Sequence, residues 1–182
     1  MKVVITGGPY SGKTTLVNAL ANLNYKILPE VAIQVIQNKI NELGMASFLC
    51  WRSSHLIELQ STILTIQSKN ESALSLNEIT VLDRGTIDNL AYLHLNKITP
   101  PVAMLNKAKQ AHYDLVIVCE TLNNFDERVK TGRTETYGES IRLQKIIAKT
   151  YINLGYKTIF LPQAPLVHRV NEICTLLNSD IS

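Results

Sequence analysis

Apolar residues along the chain recur in two rhythms, and the alternation between them sets out the fold. Short continuous apolar runs occur at 2–6, 26–29, 79–83, 115–119 and 157–161. They are rich in Val, Ile and Leu on both sides, the pattern of strands buried on both faces. Between them the apolar positions fall three and four apart, as on one face of a helix. Leu16, Leu20 and Leu23 mark a helix over 13–23, with Val17 and Ala21 beside them, and Ala32, Val35, Ile36 and Ile40 mark one over 31–42, stopped by Gly44. A long helical pattern over 46–69, broken once at most, carries Leu49, Leu56, Leu59, Ile63 and Ile66. Cys50 and Trp51 start it, Arg52 and His55 interrupt its apolar face, and the polar stretch Lys69-Asn70-Glu71-Ser72 ends it. Further helices are predicted over 86–95, over 102–111 behind Pro100-Pro101, over 138–153, and after Pro165 with Leu166, Val170, Ile173 and Leu177. Residues 122–137 are polar and lack an apolar period, so they read as a loop. Five strands alternating with helices predict an α/β domain over residues 1–182, with a parallel five-stranded sheet and helices on both faces.

Gly7-Gly8-Pro9-Tyr10-Ser11-Gly12-Lys13-Thr14 sits between the first strand and the first helix and fits G-x-x-x-x-G-K-[ST], the phosphate-binding P-loop. Gly7 and Gly12 permit backbone angles that a side chain forbids. Peptide N–H groups of the loop and of the first helical turn, as far as Thr15, then converge as donors for phosphate oxygens. Lys13 brings a mobile charge to the β and γ phosphates, and Thr14 offers a hydroxyl to Mg²⁺. A helix-capping glycine turn would not need the Lys and Thr.

In open parallel sheets ligands bind beyond the carboxyl ends of the strands. The loop, Glu30 after the second strand and Asp83 after the third are predicted to share that edge. Asp83 is assigned to Mg²⁺, the other reading being a helix cap. Arg84 reads as a clamp on substrate or phosphate, or as half of a surface ion pair. Asp88 faces the same cleft or complements a helix dipole. Glu30 can orient or deprotonate an acceptor hydroxyl, or serve as a first-turn residue of the helix. The basic residues of the 122–137 loop, Arg128 and Arg133 among them, can close over a polyphosphate as a lid, or form a solvated charged loop. Gln163, Ala164 and Pro165 form either a wall for the nucleobase or a plain strand-to-helix turn. The Asn-Lys-x-Asp sequence of guanine readers is missing, which makes ATP the first choice and leaves GTP open.

Bulk composition narrows the setting. Of 182 residues 46% are hydrophobic and 18% charged, as expected of a folded protein. A net charge of +3 with no dense Lys/Arg run suits small anions rather than nucleic acid. Cys50, Cys119 and Cys174 are widely spaced in apolar contexts and read as reduced core thiols. The chain opens on a strand and has no apolar run of membrane-spanning length, so a soluble cytoplasmic protein is expected. Nothing in the pattern sets an oligomeric state.

Ile5-Thr6-Gly7-Gly8-Pro9, Lys13-Thr14-Thr15-Leu16, Pro29-Glu30-Val31-Ala32 and Leu82-Asp83-Arg84-Gly85, with Asp88 and Ala91-Tyr92, resemble the P-loop AAA-type ATP-binding group that includes the nicotinamide-riboside kinase domain of NadR-type proteins. The closing Tyr151, Leu154-Gly155-Tyr156, Leu161-Pro162, Pro165 and Arg169-Val170 are similar to the same group. The resemblance implies a P-loop NTPase core like that of the nucleoside kinases, with strand order 2-3-1-4-5 and with ATP and Mg²⁺. It places Glu30 and Asp83 beside acceptor and metal, Arg84 at the substrate pocket, and Arg128 and Arg133 on the lid. Tyr10 departs from the small residue usual at its position. The chain is expected to lack the adenylyltransferase domain of NadR proteins. The function implied is transfer of the ATP γ-phosphoryl to a hydroxyl of a nucleoside-like or other small metabolite. The alternative is a nucleotide switch or slow NTPase that binds a partner, with the helix carrying Trp51 as either pocket wall or partner surface.

Overall fold

A computed structural model describes residues 1–75, 77–123 and 135–179. Its elements follow in chain order: β1 (Lys2–Gly7), α1 (Lys13–Asn22), β2 (Lys26–Leu28), α2 (Val31–Leu43), α3 (Met45–Ser54) and α4 (Leu56–Ser72). After these come β3 (Thr80–Asp83), α5 (Asp88–Leu95), α6 (Val102–Lys109), β4 (Leu115–Cys119), α7 (Tyr137–Asn153), β5 (Thr158–Leu161) and α8 (Leu166–Ser179). The strands form one parallel sheet in the order β2-β3-β1-β4-β5, the order that the resemblance implied.

Strand alternation divides the core. Val3 and Ile5 of β1, Val81, Leu115 and Ile117 turn to a face covered by Leu16, Leu20, Ile173 and Leu177 of α1 and α8. Val4, Leu82, Val116 and Val118 turn to the face covered by α4, α5, α6 and α7. Each fully buried Leu or Ile in these layers contributes about 1.5–3 kcal/mol of transfer free energy. A third cluster, Val31, Ile36, Phe48, Leu59 and Ile63, joins α2, α3 and α4 outboard of β2 and β3.

Several expectations shift. The helical run over 46–69 is two helices that meet at His55, whose φ of −119° interrupts the ladder. Its apolar stripe serves two cores, Leu56 facing the α4–α7 cluster and Leu59 and Ile63 the outboard one. Leu23 is 52% exposed, because α1 ends before it. Cys50 is exposed rather than a core thiol, while Cys119 is buried. The α5 helix begins at Asp88 rather than 86, since Arg84 to Ile87 form a turn. The polar stretch ends α4 at Ser72 as expected, but Glu71 within it is only 5% exposed, next to a core.

β1 lies between β3 and β4, so the chain's connections depart in opposite directions from it. That reversal opens a crevice beyond the carboxyl end of β1, where the P-loop begins.

Candidate active site

The P-loop leaves β1 at Gly7, with φ 141°, and enters α1 at Gly12, with φ 74°. Gly8 is needed for a second reason: a β carbon there would strike the backbone and Oγ of Ser140 on α7. Ser140 Oγ in turn donates to Pro9 O at 2.7 Å. Tyr10 adopts a left-handed φ of 58° and its carbonyl accepts from Leu122 N, so the loop is held from the β4 exit as well. Gly12 caps α1 with no side-chain bond, and the first turn of α1 holds no acidic residue. The first intrahelical bond is Leu16 N to Gly12 O, which leaves the N–H groups before it for a ligand. Lys13, 4% exposed, turns its Nζ onto Gly8 O at 2.5 Å and Ser11 Oγ at 2.9 Å, bridging its own loop. Glycine cradle, helix N-terminus and buried ammonium suit a polyphosphate.

Thr14 Oγ1 lies 3.5 Å from Asp83 Oδ2, the carboxylate that ends β3 beside Ile5. The hydroxyl and the carboxylate make an oxygen pair of the kind that holds Mg²⁺ together with phosphate and water. Among the described residues no group of three or more His, Cys, Asp and Glu is placed to hold a metal alone.

Next to the loop, between α2, α4 and α5, lies a narrow cleft with a cavity volume of about 40 Å³, lined by both Glu30 and Arg84. Arg84 leaves β3 with a left-handed φ of 73°, an uncommon conformation for a residue with a side chain. This turn aims the guanidinium back at the loop. Its Nε donates to Glu30 Oε1 at 2.8 Å, and its Nη1 donates to Gly7 O at 3.2 Å and to Asp88 Oδ1 at 3.3 Å. Burial pulls its pKa down, but Tyr92, Glu30, Asp88 and Asp83 more than offset that and hold it well above the ordinary arginine value. Arg84 is therefore a fixed cation in an acidic setting, 5% exposed, rather than half of a surface ion pair.

Asp88 also belongs to the cleft, as well as heading α5. It accepts from Thr6 Oγ1, from Gly85 N at 3.0 Å and from the Tyr151 hydroxyl at 2.7 Å. Below it Glu71 accepts from Gln67 Nε2 at 2.8 Å, Thr86 Oγ1 at 3.0 Å and the Tyr113 hydroxyl at 2.9 Å. Gln67 Nε2 also reaches Arg84 O at 3.2 Å, tying this cluster to the turn. Burial raises the Glu71 pKa above the usual carboxylate value, and its hydrogen bonds offset this only in part. Burial, then the nearby carboxylates, push the Tyr113 and Tyr151 phenols well up, so both stay neutral donors.

The structure thus brings Gly7 to Thr15, Glu30, Asp83, Arg84 and Asp88 to one edge. Gln163, Ala164 and Pro165 stand at the end of β5. The Gln163 amide exchanges bonds with Asn123, and Pro165 O accepts from His168 N and Arg169 N to open α8. The 122–137 loop, expected to act as a lid, falls mostly outside the described residues, and Arg128 and Arg133 with it; Thr136 caps α7 in a reciprocal box with Glu139. Missed from the sequence were Gln60, Gln67, Glu71 and Asn89, all buried, and Arg169, which reaches the loop from α8. A signal existed for three of them. Gln60, Gln67 and Glu71 stand at helical spacing among Leu56, Leu59, Ile63 and Leu64, polar residues on a buried stripe.

Fold and loop together define a P-loop nucleotide-binding domain. A family model for the AAA domain matches residues 2–169, and the chain belongs to that family. No curated protein sequence matches it. Among solved structures, deoxyadenosine kinase from M. mycoides with bound dATP is similar, with TM-score 0.68 and 17% identity over 98% of this chain and 100% of that one. NadR protein in complex with NR is similar at TM-score 0.61 and 20% identity, over 88% of this chain but 43% of NadR. Thymidylate kinase from Ehrlichia chaffeensis follows at TM-score 0.60 and 13% identity, over 97% of this chain and 98% of that one. At these identities the likeness is one of fold. No helix among the described residues is long and apolar enough to cross a membrane.

Proposed function

We propose that the protein is a small-molecule kinase, moving the γ-phosphoryl of ATP to a hydroxyl of a nucleoside-like metabolite. The observation that carries this reading is the buried Glu30–Arg84 pair in a cleft that adjoins the P-loop. A switch protein needs a phosphate site, but not a second cleft beside it that combines apolar walls with a buried ion pair.

The roles follow from placement. The loop N–H groups and Lys13 bind the polyphosphate, with the Nζ leaving Gly8 O and Ser11 Oγ to do so. Thr14 and Asp83 would hold Mg²⁺, which when bound supplies positive charge to the phosphate oxygens. Glu30, fixed in direction by Arg84, orients the acceptor hydroxyl and takes its proton as the new oxygen–phosphorus bond forms and the bond to the ADP oxygen breaks. Arg84 fixes the carboxylate rather than adding free charge. Arg128 and Arg133 are assigned, on sequence grounds, to the charge that spreads over the transferred group.

The cleft supports a nucleoside-like acceptor. Ala32, Ile36, Ile63 and Tyr92 offer apolar surface to a flat ring, and Gln60 and Asn89 offer amides to its polar edge. Gln60 is 5% exposed. The similar structures were solved with dATP and with NR, which fits this class of ligand. The test is ADP release with a panel of nucleosides and small hydroxylated metabolites. One acceptor should stimulate release sharply, with the phosphorylated product appearing in equal amount. If none does while Mg-ATP still binds, the switch reading replaces this one.

A further inference from the structure

Arg169 stands at the far end of the chain from the phosphate loop, yet the two are in contact. It belongs to the first turn of α8, a helix seated on the sheet by Val170, Ile173 and Leu177. Its side chain is 3% exposed, and its Nη1 donates to Ser11 O at 3.0 Å. A β carbon on Gly12 would lie 3.0 Å from the same nitrogen, so the guanidinium is pressed against the Ser11–Gly12 peptide. Its Nε and Nη2 are buried and have no hydrogen-bond partner among the described residues. None of the ion pairs among the described residues involves it, and the buried Cys119 thiol, which hydrogen-bonds the guanidinium, is a weak neutral partner that supplies no counter-charge.

Such an arrangement is unfavourable by itself. A shut-away cation needs a counter-charge, and buried N–H groups without acceptors lose their hydration for nothing. A neutral side chain of similar volume would fill the space better, and a neutral donor would hold Ser11 O equally well. The offsetting charge is therefore to be sought outside the chain. The ligand expected within one peptide plane of Arg169 is the polyphosphate of a nucleotide.

We infer that Arg169 is a positioning residue for polyphosphate binding, acting through the Ser11–Gly12 peptide. Ser11 C=O and Gly12 N–H are the two ends of one conjugated unit. A charge-assisted bond to the oxygen polarises that unit and makes the N–H a stronger donor. Gly12 stands at the head of α1, where donors converge on an anion. The guanidinium thus adds fixed positive potential behind the nest without touching the ligand. The inference rests on the phosphate-loop reading but not on the identity of the acceptor.

The test is isothermal titration of Mg-ATP and Mg-ADP into the wild type, Arg169→Met and Arg169→Lys, with the melting temperature of each protein taken without nucleotide. Arg169→Met should melt close to the wild type, because the lost bond to Ser11 O and the removal of an uncompensated buried charge oppose each other. It should nevertheless bind Mg-ATP about tenfold or more weakly, the scale of a unit charge removed from a few ångströms behind a polyphosphate in a partly desolvated site. The loss should be greater for ATP than for ADP, and Arg169→Lys should recover most of it. A wild type that does not bind Mg-ATP overturns the phosphate-loop reading and the inference together. A wild type that binds, with Arg169→Met binding equally well, overturns the inference alone. So does Arg169→Met that melts well below the wild type or fails to fold, or an equal loss for both nucleotides, since each marks a structural role.

Discussion

Two buried arginines grip the phosphate loop, Arg84 at Gly7 O and Arg169 at Ser11 O, and they live in opposite electrostatic settings. Arg84 is ringed by acids: it bonds Glu30 and Asp88 and lies in the field of Asp83. Arg169 bonds a backbone carbonyl and has no carboxylate partner among the described residues. The first cation is balanced inside the chain, so its region is assembled before any ligand arrives. The second leaves its charge to be balanced by something that binds. The same residue type is structural capital on one side of the loop and a standing attraction for anions on the other.

The strongest way to break this contrast is to make the same change on both sides. Arg84→Met strands Glu30 and Asp88 as buried carboxylates and should lower the unfolding free energy by about 3–5 kcal/mol, measured by urea denaturation. Arg169→Met should change it little, the lost bond to Ser11 O offsetting the removal of a buried charge. Equal losses would erase the distinction. Next in size, Lys13→Ala should weaken Mg-ATP binding about 100-fold, or ~2.7 kcal/mol, while leaving apo stability close to that of the wild type, as thermal shift with and without Mg-ATP would show.

Gly85→Ala sharpens the balanced side. Its β carbon would lie 2.5 Å from the Tyr151 hydroxyl and 2.8 Å from that of Tyr113, so both rings must shift. The expected loss is about 1–3 kcal/mol of stability, and a neutral result would mean that the network beneath Arg84 is loose. The smallest effect is one of pH. Glu71 has its folded-state pKa raised above its unfolded value by burial, so the folded state binds more protons than the unfolded state between the two. Its favourable contribution is fully present below about pH 4.3, the ordinary glutamate value, and is lost as pH rises through the folded value. Glu71→Gln lacks that loss. The stability of the wild type relative to this variant should therefore fall from pH 4 toward pH 8. A difference constant with pH would place Glu71 among ordinary carboxylates.

How far the site could be read from the residues follows from what each residue touches. The P-loop was legible because its eight positions are contiguous and its strand–loop–helix setting is local. The placement of Glu30 and Asp83 was legible because a parallel sheet sends every strand end to one edge. Glu71 was not, because a polar run at a helix end looks like a solvated stop unless the stripe through Gln60 and Gln67 is followed through it. Arg169 was quoted only for its likeness to a family, since its partner, Ser11, lies 158 positions away and no periodicity joins them. Leu23 and Cys50 erred in the opposite direction: the end of α1 leaves Leu23 in water, and Cys50 lies on an exposed face in the middle of α3. The pairing of Glu30 with Arg84 is equally non-local, and it decides the character of the cleft.

The central claim is that Glu30 faces an acceptor hydroxyl across the cleft. The most direct measurement is acceptor-stimulated ADP release by the wild type and by Glu30→Gln, with Mg-ATP affinity determined in parallel. The account predicts sharp stimulation of the wild type by one nucleoside-like acceptor. It predicts a fall in kcat of about 100-fold or more in Glu30→Gln, with Mg-ATP affinity unchanged. Full transfer activity in Glu30→Gln, or a wild type that no acceptor stimulates, would contradict it.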